Sequence, residues 1–409
     1  MSHAVTEEEA QLTLLDIIGF PSEQMLFSSF SKTLIYSLGS NIVYYNLSTN
    51  SKTFVQYLTN EILLLKYLDD QEKYLVTIDR SPFPLLCIWE LPSFTQIYNQ
   101  EITIPSHESF SISNIFIEQI YQEIYLIVIT SKTGINYVYI LKNENELNNN
   151  YSLDLFKKLS YIKETIYGFK VFYNSKDVIF LLERNLLYYN IDLEKESYNE
   201  KMKIDFPFSL IPDSLRISKD VNLIVFLTIK GNCLIYDQNG NNKPSINPFG
   251  QEYFTSCEFE GDSLCIGTNH GKVYVYNIYD NKPKYFIHYK AILRIRDNFQ
   301  LNSFNDKMKK EKENENNFIH DLSQRIEQDE CNFGPEIKLI CLSEKIDQIF
   351  LRLSDNSIIL APLSMLINDL NYQNDSNLNG NNIFFYAFNH SQNIDDIVIN
   401  SQKIKNDNY

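Results

Sequence analysis

The sequence has few of the residues that mark fibrous, linker-like or disulfide-stapled chains. Its 409 residues include only 12 Gly and 12 Pro, which excludes collagen-like and linker-like classes. There are six cysteines and no CxxC pair, so we expect buried, reduced thiols and neither a zinc site nor a disulfide framework. These are Cys87, Cys233, Cys257, Cys265, Cys331 and Cys341.

Basic residues and long apolar runs are also scarce. Lys and Arg number 36 against 52 Asp and Glu, and the net charge of −16 disfavours broad binding to nucleic acid or anionic membrane. The amino terminus carries Glu7, Glu8 and Glu9 where a signal peptide needs basic residues. The most apolar runs stop well short of the roughly 20 residues that span a bilayer. The sequence therefore predicts a cytoplasmic protein with neither nucleic-acid nor membrane partners.

What the sequence does contain is a recurring hairpin rich in Tyr, Val and Ile. Each copy consists of an apolar strand, a short polar turn and a second apolar strand. Turns such as Gly39-Ser40 and Asn269-His270-Gly271 carry residues that are typical of hairpins. The seven copies are residues 34–38 with 41–47, 74–78 with 85–91, 124–130 with 136–141, 178–182 with 186–191, 223–228 with 232–237, 264–268 with 272–278, and 349–353 with 357–363.

The spacing of these hairpins predicts the fold. Measured at one position near the end of each second strand, the intervals are 44, 50, 50, 47, 40 and 85 residues. Repeats of about 40–45 residues with four strands each are typical of WD-repeat propeller blades. The positions are Tyr45, Trp89, Tyr139, Tyr189, Tyr236, Tyr276 and Ala361. We predict an all-β, seven-bladed WD-repeat-like β-propeller, with a pair of β-sandwiches as the main competing fold.

The domain boundaries follow from this repeat. Residues 1–20 are an N-terminal extension, residues 21–400 the propeller and residues 401–409 a C-terminal tail. A strongly polar insertion at 303–330 explains the longest interval. The strand-like runs at 383–389 and 394–400 could close this ring or begin a second ring that the chain does not complete. Because the usual Trp-Asp dipeptide survives only as Trp89-Glu90, we expect most of the hydrogen-bond networks of such blades to be missing.

Catalytic motifs are not found in the sequence. It has no Gly-rich phosphate loop, HExxH or GxSxG, and its six His are scattered. The carboxylate pairs Asp69-Asp70 and Asp395-Asp396 are interpreted as solvated turn residues. We therefore predict a non-enzymatic protein without metal or cofactor. The alternative is a propeller enzyme with its site in the central channel, which would need His and carboxylates converging from several blades.

Two features are candidates for binding another protein. The first is an apolar hairpin loop in which an exposed Phe is fixed between prolines; the alternative is that this loop folds back on the neighbouring blade. The second is a basic cluster in the insertion that suits the acidic tails of tubulin; the alternative is a solvated run of charge. The loop residues are Arg80, Pro82, Phe83 and Pro84, and the basic residues are Lys307, Lys309, Lys310 and Lys312.

Several segments resemble one known family. Residues 74–77 and 86–90, with Pro84 ahead of the second strand, resemble the second blade of the MAP-kinase-binding WD-repeat family. That family includes a scaffold of the c-Jun N-terminal kinase pathway and its spindle-pole paralogue. Residues 263–277 resemble the sixth blade, residues 353–358 the next, and residues 385–391 the segment that leads out of the first propeller.

This resemblance implies a protein-interaction scaffold in a cytoskeletal assembly (centrosome, spindle pole or cilium) or a kinase-signalling assembly. The expected partners are microtubule-associated or kinase-pathway proteins. It covers the family's first propeller alone, and the kinase-docking tail has no counterpart in this sequence, so kinase docking is not carried over. Ciliary WD-repeat proteins and echinoderm-type microtubule-associated proteins share the single motifs. His270 and Ala361-Pro362 depart from the family pattern in the sixth and seventh blades.

Overall fold

Seven four-stranded antiparallel sheets make up the computed structural model. It describes residues 25–28, 32–46, 49, 51–55, 60–69, 71–105, 111–144, 150–172, 175–218, 223–248, 250–278, 283–287, 334–343, 347–354, 358–361, 363 and 384–386. Every sheet uses four strands that are consecutive in sequence, and each strand pairs with the next one. Each sheet is therefore one blade, formed without strands from elsewhere in the described chain.

The strands of the first four blades alternate in direction across each sheet. Blade 1 contains β1 (Met25–Ser28), β2 (Thr33–Leu38), β3 (Asn41–Asn46) and β4 (Ser51–Val55). Blade 2 contains β5 (Ile62–Tyr67), β6 (Tyr74–Asp79), β7 (Leu85–Glu90) and β8 (Thr95–Glu101). Blade 3 contains β9 (Ile112–Tyr121), β10 (Ile124–Ser131), β11 (Asn136–Asn143) and β12 (Tyr151–Lys158). Blade 4 contains β13 (Gly168–Val171), β14 (Asp177–Leu181), β15 (Asn185–Asp192) and β16 (Ser197–Asp205).

The remaining three blades repeat this arrangement. Blade 5 contains β17 (Arg216–Ile217), β18 (Ile224–Leu227), β19 (Cys233–Tyr236) and β20 (Asn242–Ile246). Blade 6 contains β21 (Phe254–Glu260), β22 (Ser263–Thr268), β23 (Val273–Asn277) and β24 (Pro283–Ile287). Blade 7 contains β25 (Ile337–Ser343), β26 (Gln348–Leu353), β27 (Ile358–Ala361) and β28 (Phe384–Tyr386). The seven predicted hairpins are the second and third strands of these blades, and the predicted seven-bladed propeller is confirmed.

The hydrophobic core lies between neighbouring blades. Side chains of β10 show how one strand serves two interfaces: Tyr125, Ile127 and Ile129 pack towards blade 2, whereas Leu126 and Val128 pack towards blade 4. Successive residues of a strand point to opposite faces, so a strand covered on both faces is apolar throughout. This is the physical reason for the near-continuous apolar runs in the middle strands.

The ring is closed by packing between blade 7 and blade 1. The rings of Phe27 and Phe350 stack with their centroids 4.8 Å apart, and Met25, Tyr36 and Leu360 belong to the same cluster. Of the two runs after the seventh hairpin, the first contributes β28, the outer strand of blade 7. The second run lies outside the described residues, as do the N-terminal extension, the polar insertion and the C-terminal tail.

Blade 2 keeps a buried polar network that the sequence analysis expected to be missing from most blades. The indole N–H of Trp89 donates to the hydroxyl of Thr77 at 3.0 Å. The carboxylate of Asp79 accepts from the Asn60 amide at 3.1 Å and from the backbone N–H of Leu85 at 2.7 Å. This network fixes the entry into β7 from the preceding turn.

The blade 7–blade 1 contact generates a test of ring closure. Phe350 is fully buried, so Phe350→Ala should lower the free energy of unfolding by about 3–5 kcal/mol through lost packing and the cavity left behind. Phe286→Ala is the matched control because that Phe is 42% exposed, and we expect a change within about 1 kcal/mol. Urea unfolding of both variants measures the difference; equal midpoints would show that this contact does not hold the ring closed.

Candidate functional site

The topology places two sets of loops on one face of the ring. Strands alternate in direction, so the turn between the second and third strands emerges on the same side as the connection from each fourth strand to the next blade. We call this side the turn face; it includes residues 80–84, 206–215, 228–232, 250–253 and 268–272. First strands of neighbouring blades contact one another and therefore surround the centre of the ring.

The predicted apolar loop lies on the turn face, at the tip of blade 2. Phe83 is 61% exposed and Pro82 is also exposed, whereas Pro84 is buried at the base of the loop. The guanidinium of Arg80 lies 3.2 Å from the carboxylate of Glu61. Most of the Phe83 side chain is therefore in solvent, with the charged residue beside it already paired.

The other residues that the sequence analysis singled out are described only in part. Lys307, Lys309, Lys310 and Lys312 lie outside the described residues, and of the six His the structure describes His270 alone. Its ring nitrogen is 3.9 Å from the carboxylate of Glu252. No disulfide joins Cys87, Cys233, Cys257 or Cys341, and Cys265 is buried. Burial raises the pKa of the Cys87 thiol and of the Cys257 thiol to about 12, so both are protonated at neutral pH.

A second exposed apolar group on the turn face was missed by the sequence analysis. Ile229, in the turn of blade 5, is 62% exposed, and Tyr253, in the connection to blade 6, is 45% exposed. In the sequence Ile229 directly follows the predicted strand 223–228, and a single apolar residue at this position does not show whether its side chain is buried. The available signal was its place directly before Lys230-Gly231, where the chain already turns.

The centre of the ring contains an ion cluster that was also missed. The carboxylate of Glu118 on β9 lies between two ammonium groups, 2.8 Å from Lys66 of blade 2 and 2.6 Å from Lys170 of blade 4. Lys66 also donates to the backbone carbonyl of Ile117 at 2.6 Å. Each of these residues is the one charged residue of its first strand, and this is the signal that the sequence offers. The cluster ties three blades together.

A second cluster has the opposite arrangement, with a cation between two anions. Arg216 of blade 5 donates to the carboxylate of Glu258 on blade 6 at 2.7 Å, and its guanidinium is 3.9 Å from the carboxylate of Asp213. Burial disfavours the charged guanidinium, but these two carboxylates outweigh it and raise the pKa of Arg216. The guanidinium therefore stays charged and links blades 5 and 6.

The charge on Glu118 is held in the same way. Burial opposes ionisation, but Lys170 and Lys66 outweigh it and lower the pKa of Glu118 to about 2. Burial and the nearby Lys170 lower the pKa of Lys66, against the opposing effect of Glu118. A general base works best with a pKa near the working pH, and Glu118 is far below it. The cluster is suited to holding blades together and poorly suited to moving protons.

A cavity of about 360 Å³ lies beside this cluster, at the end of the ring opposite the turn face. Lys66, Glu118, Asp69 and Glu72 contribute polar groups to its wall. The Asp69 carboxylate accepts the backbone N–H groups of Lys73 and Tyr74 at 2.9 and 3.1 Å, which is the turn role expected for it. Within the described residues, no three His, Cys, Asp or Glu side chains are placed to hold a metal ion.

No family model matches this chain, and no curated protein matches it either. In the part of the chain that the structure describes, no helix is long and apolar enough to cross a membrane.

The Glu118 cluster predicts how stability changes with pH. The pKa of Glu118 falls from 4.5 in the unfolded chain to about 2 in the folded one, so the ion cluster stabilises the fold above pH 4.5 and loses this effect between pH 4.5 and 2. Glu118→Gln should lower the free energy of unfolding by on the order of 3 kcal/mol at pH 6. The difference in free energy of unfolding between the variant and the wild type should become smaller as the pH falls.

Unfolding can be followed by the fluorescence of Trp89, the single tryptophan, which is fully buried. Glu101→Gln is the matched control, because Glu101 is exposed at the end of β8. If the difference in free energy of unfolding between Glu118→Gln and the wild type stays constant from pH 6 to pH 3, the low pKa assigned to Glu118 is wrong.

Proposed function

We propose that this chain is a non-enzymatic, cytoplasmic protein-interaction scaffold that presents apolar residues to partner proteins on its turn face. The observation that carries the proposal is Phe83, which is 61% exposed at the tip of blade 2. A propeller fold alone does not decide between binding and catalysis, so the proposal rests on the residues of this face. The net charge of −16 favours protein partners over nucleic acid or anionic membrane.

The loop around Phe83 is fixed at its base. The backbone N–H of Leu85 donates to the Asp79 carboxylate at 2.7 Å, and the backbone N–H of Arg80 donates to the carbonyl of Glu61 at 2.6 Å. The hydroxyl of Ser81 also bonds the carbonyl of Phe83. A loop that is ordered before binding loses less conformational entropy when a partner docks. An aromatic side chain presented in this way suits the anchor role at an interface.

The alternative, an enzyme with its site at the centre of the ring, finds less support. Glu118 and Glu258, carboxylates of two first strands, are each paired with a cation within 3 Å. Such pairing engages both carboxylates in contacts between blades. The geometry therefore favours the scaffold.

The scaffold proposal predicts the effect of truncating Phe83. Phe83→Ala should weaken partner binding about tenfold or more while leaving the melting temperature unchanged, because the side chain contributes little to the folded chain's own packing. Affinity capture with chemical cross-linking and quantitative mass spectrometry measures the first effect, and thermal unfolding the second. Phe286→Ala, which removes an exposed Phe from the outer strand β24, should keep the same partners. Loss of stability with Phe83→Ala would instead show that Phe83 packs on its own ring.

A cytoskeletal or kinase-signalling setting is the finer part of the proposal, supported by the resemblance described above. In the cytoskeletal form of the proposal, the partner is a microtubule. The basic cluster of the insertion binds the acidic tails of tubulin on its surface. Attraction of this kind weakens as salt rises. The four lysines are Lys307, Lys309, Lys310 and Lys312.

Co-sedimentation with microtubules tests this form of the proposal. The wild type should pellet at low salt, remain in solution at high salt, and lose binding to microtubules whose acidic tails have been removed by protease. Changing the four lysines to Gln should reduce pelleting about tenfold; the matched control changes four exposed lysines of the ring and should pellet like the wild type. The control positions are Lys52, Lys132, Lys158 and Lys195. Wild-type protein that stays in the supernatant at low salt would overturn the microtubule proposal.

A further inference from the structure

The turn face carries a second apolar surface, on the side of blades 5 and 6. It consists of Phe208, Ile229, Lys230 and Tyr253, and we call it the blade 5–6 platform. Ile229 and Tyr253 are 62% and 45% exposed, and Phe208 is half-buried and packs on the core between blades 4 and 5. Large apolar side chains exposed together on a loop surface are unusual in a folded chain and mark interaction sites. The platform belongs to a different part of the ring from Phe83, which is on blade 2.

Main-chain hydrogen bonds hold Ile229 in place. Its backbone N–H donates to the carbonyl of Ser209 at 3.1 Å, which ties the turn of blade 5 to the connection that precedes that blade. The N–H of Gly231 donates to the carbonyl of Thr228 at 2.8 Å and closes the turn. Gly231 has φ +83°, a backbone conformation that strongly favours glycine. The turn therefore projects Ile229 outward from a fixed base.

Tyr253 is tied to the same turn and to the next one. A Cβ on Gly231 would lie 2.1 Å from the Cβ of Tyr253, so the two backbones are in direct contact. The N–H of Phe254 donates to the carbonyl of Gly231 at 3.0 Å. On its other side, Tyr253 exchanges two hydrogen bonds with Asn269, at 2.9 and 3.1 Å. Ile229 and Tyr253 thus sit on loops that are bonded to each other, and little ordering remains when a partner binds.

The accessible charge on this platform is positive. The ammonium of Lys230 is exposed and lies 5.5 Å from the centre of the Phe208 ring. The neighbouring carboxylate of Glu252 is only 7% exposed, because Lys272 and Tyr274 bond it. The platform is therefore a cationic, apolar spot on a chain whose net charge is −16.

The charged side chains at the edge of the platform do not make its accessible charge negative. Glu183, which accepts a hydrogen bond from Ser209 at 3.0 Å, has the guanidinium of Arg184 at 4.0 Å. This pair contributes no net charge. A docking segment with carboxylates therefore finds one accessible ammonium and no unbalanced anion among these neighbours.

We propose that the blade 5–6 platform binds an extended segment of a partner protein in which an apolar side chain is flanked by Asp or Glu. The apolar side chain packs against Ile229 and Tyr253, and a neighbouring carboxylate pairs with Lys230. This inference rests on the proposed scaffold function and adds the chemistry of the partner. The platform and the Phe83 loop are separate surfaces, so each can fail without the other.

Selection from a displayed library of random 16-residue peptides tests the platform on the full chain. Enriched peptides should carry Asp or Glu next to a Phe, Leu, Ile or Trp more often than the unselected library does. Synthetic copies of the enriched peptides, measured by fluorescence anisotropy, should bind Ile229→Asp at least tenfold more weakly than the wild type. Lys230→Ala should also weaken binding and should flatten its dependence on salt.

Control variants separate this platform from the other surfaces. Phe286→Ala should bind the selected peptides as the wild type does, and Ile229→Asp should keep the wild-type melting temperature. Enriched peptides that are basic, or that bind Ile229→Asp unchanged, would overturn the platform; so would a selection that enriches nothing. If Phe83→Ala alone loses binding of the selected peptides and Ile229→Asp keeps it, the result would support the scaffold function and refute this second surface.

Discussion

Burial of each blade between its two neighbours is the constraint on which the rest of the structure depends. Each of the seven cores formed by the described residues lies between two sheets and needs side chains from both. A blade such as β9–β12 therefore has no core of its own and becomes stable only when both interfaces form. The end interface, where Phe27 stacks on Phe350, matters as much as the other six because an open ring would expose one face of two blades.

Charge in the centre of the ring follows from the same constraint. First strands approach one another closely there, and a charged side chain on one of them leaves bulk water. Glu118 and Arg216 can stay ionised because each lies between two groups of opposite sign, whose attraction outweighs the loss of hydration. The ions link blades 2 to 4 and blades 5 to 6, which gives these charges a role in holding the ring together. The loops of the turn face lie away from this centre and do not need paired charges of this kind.

Rigidity at the turn face makes the scaffold proposal physically reasonable. Turns and connections from neighbouring blades are bonded to one another, as between Gly231 and Phe254 or between Asn269 and Tyr253. Apolar side chains that project from such loops, including Phe83 and Ile229, are presented in nearly fixed positions. When a partner binds, little free energy is then lost in ordering the loops, so most of the gain from the contacts remains as affinity.

The sequence by itself determined the architecture: strand type, hairpin number and spacing are local properties, and seven hairpins at blade spacing identify the propeller that the structure shows. It also singled out the loop at Phe83 as a candidate, since Pro-Phe-Pro in a turn is a local feature, but it left open that the loop folds back on the neighbouring blade. Tertiary structure alone decided the rest. Lys66 and Lys170 each lie about 52 residues from Glu118 in sequence, and only the packing of neighbouring blades brings both ammonium groups within 3 Å of its carboxylate. Ile229 directly follows the predicted strand 223–228, but only the fold shows that its side chain has passed the edge of the core and is exposed.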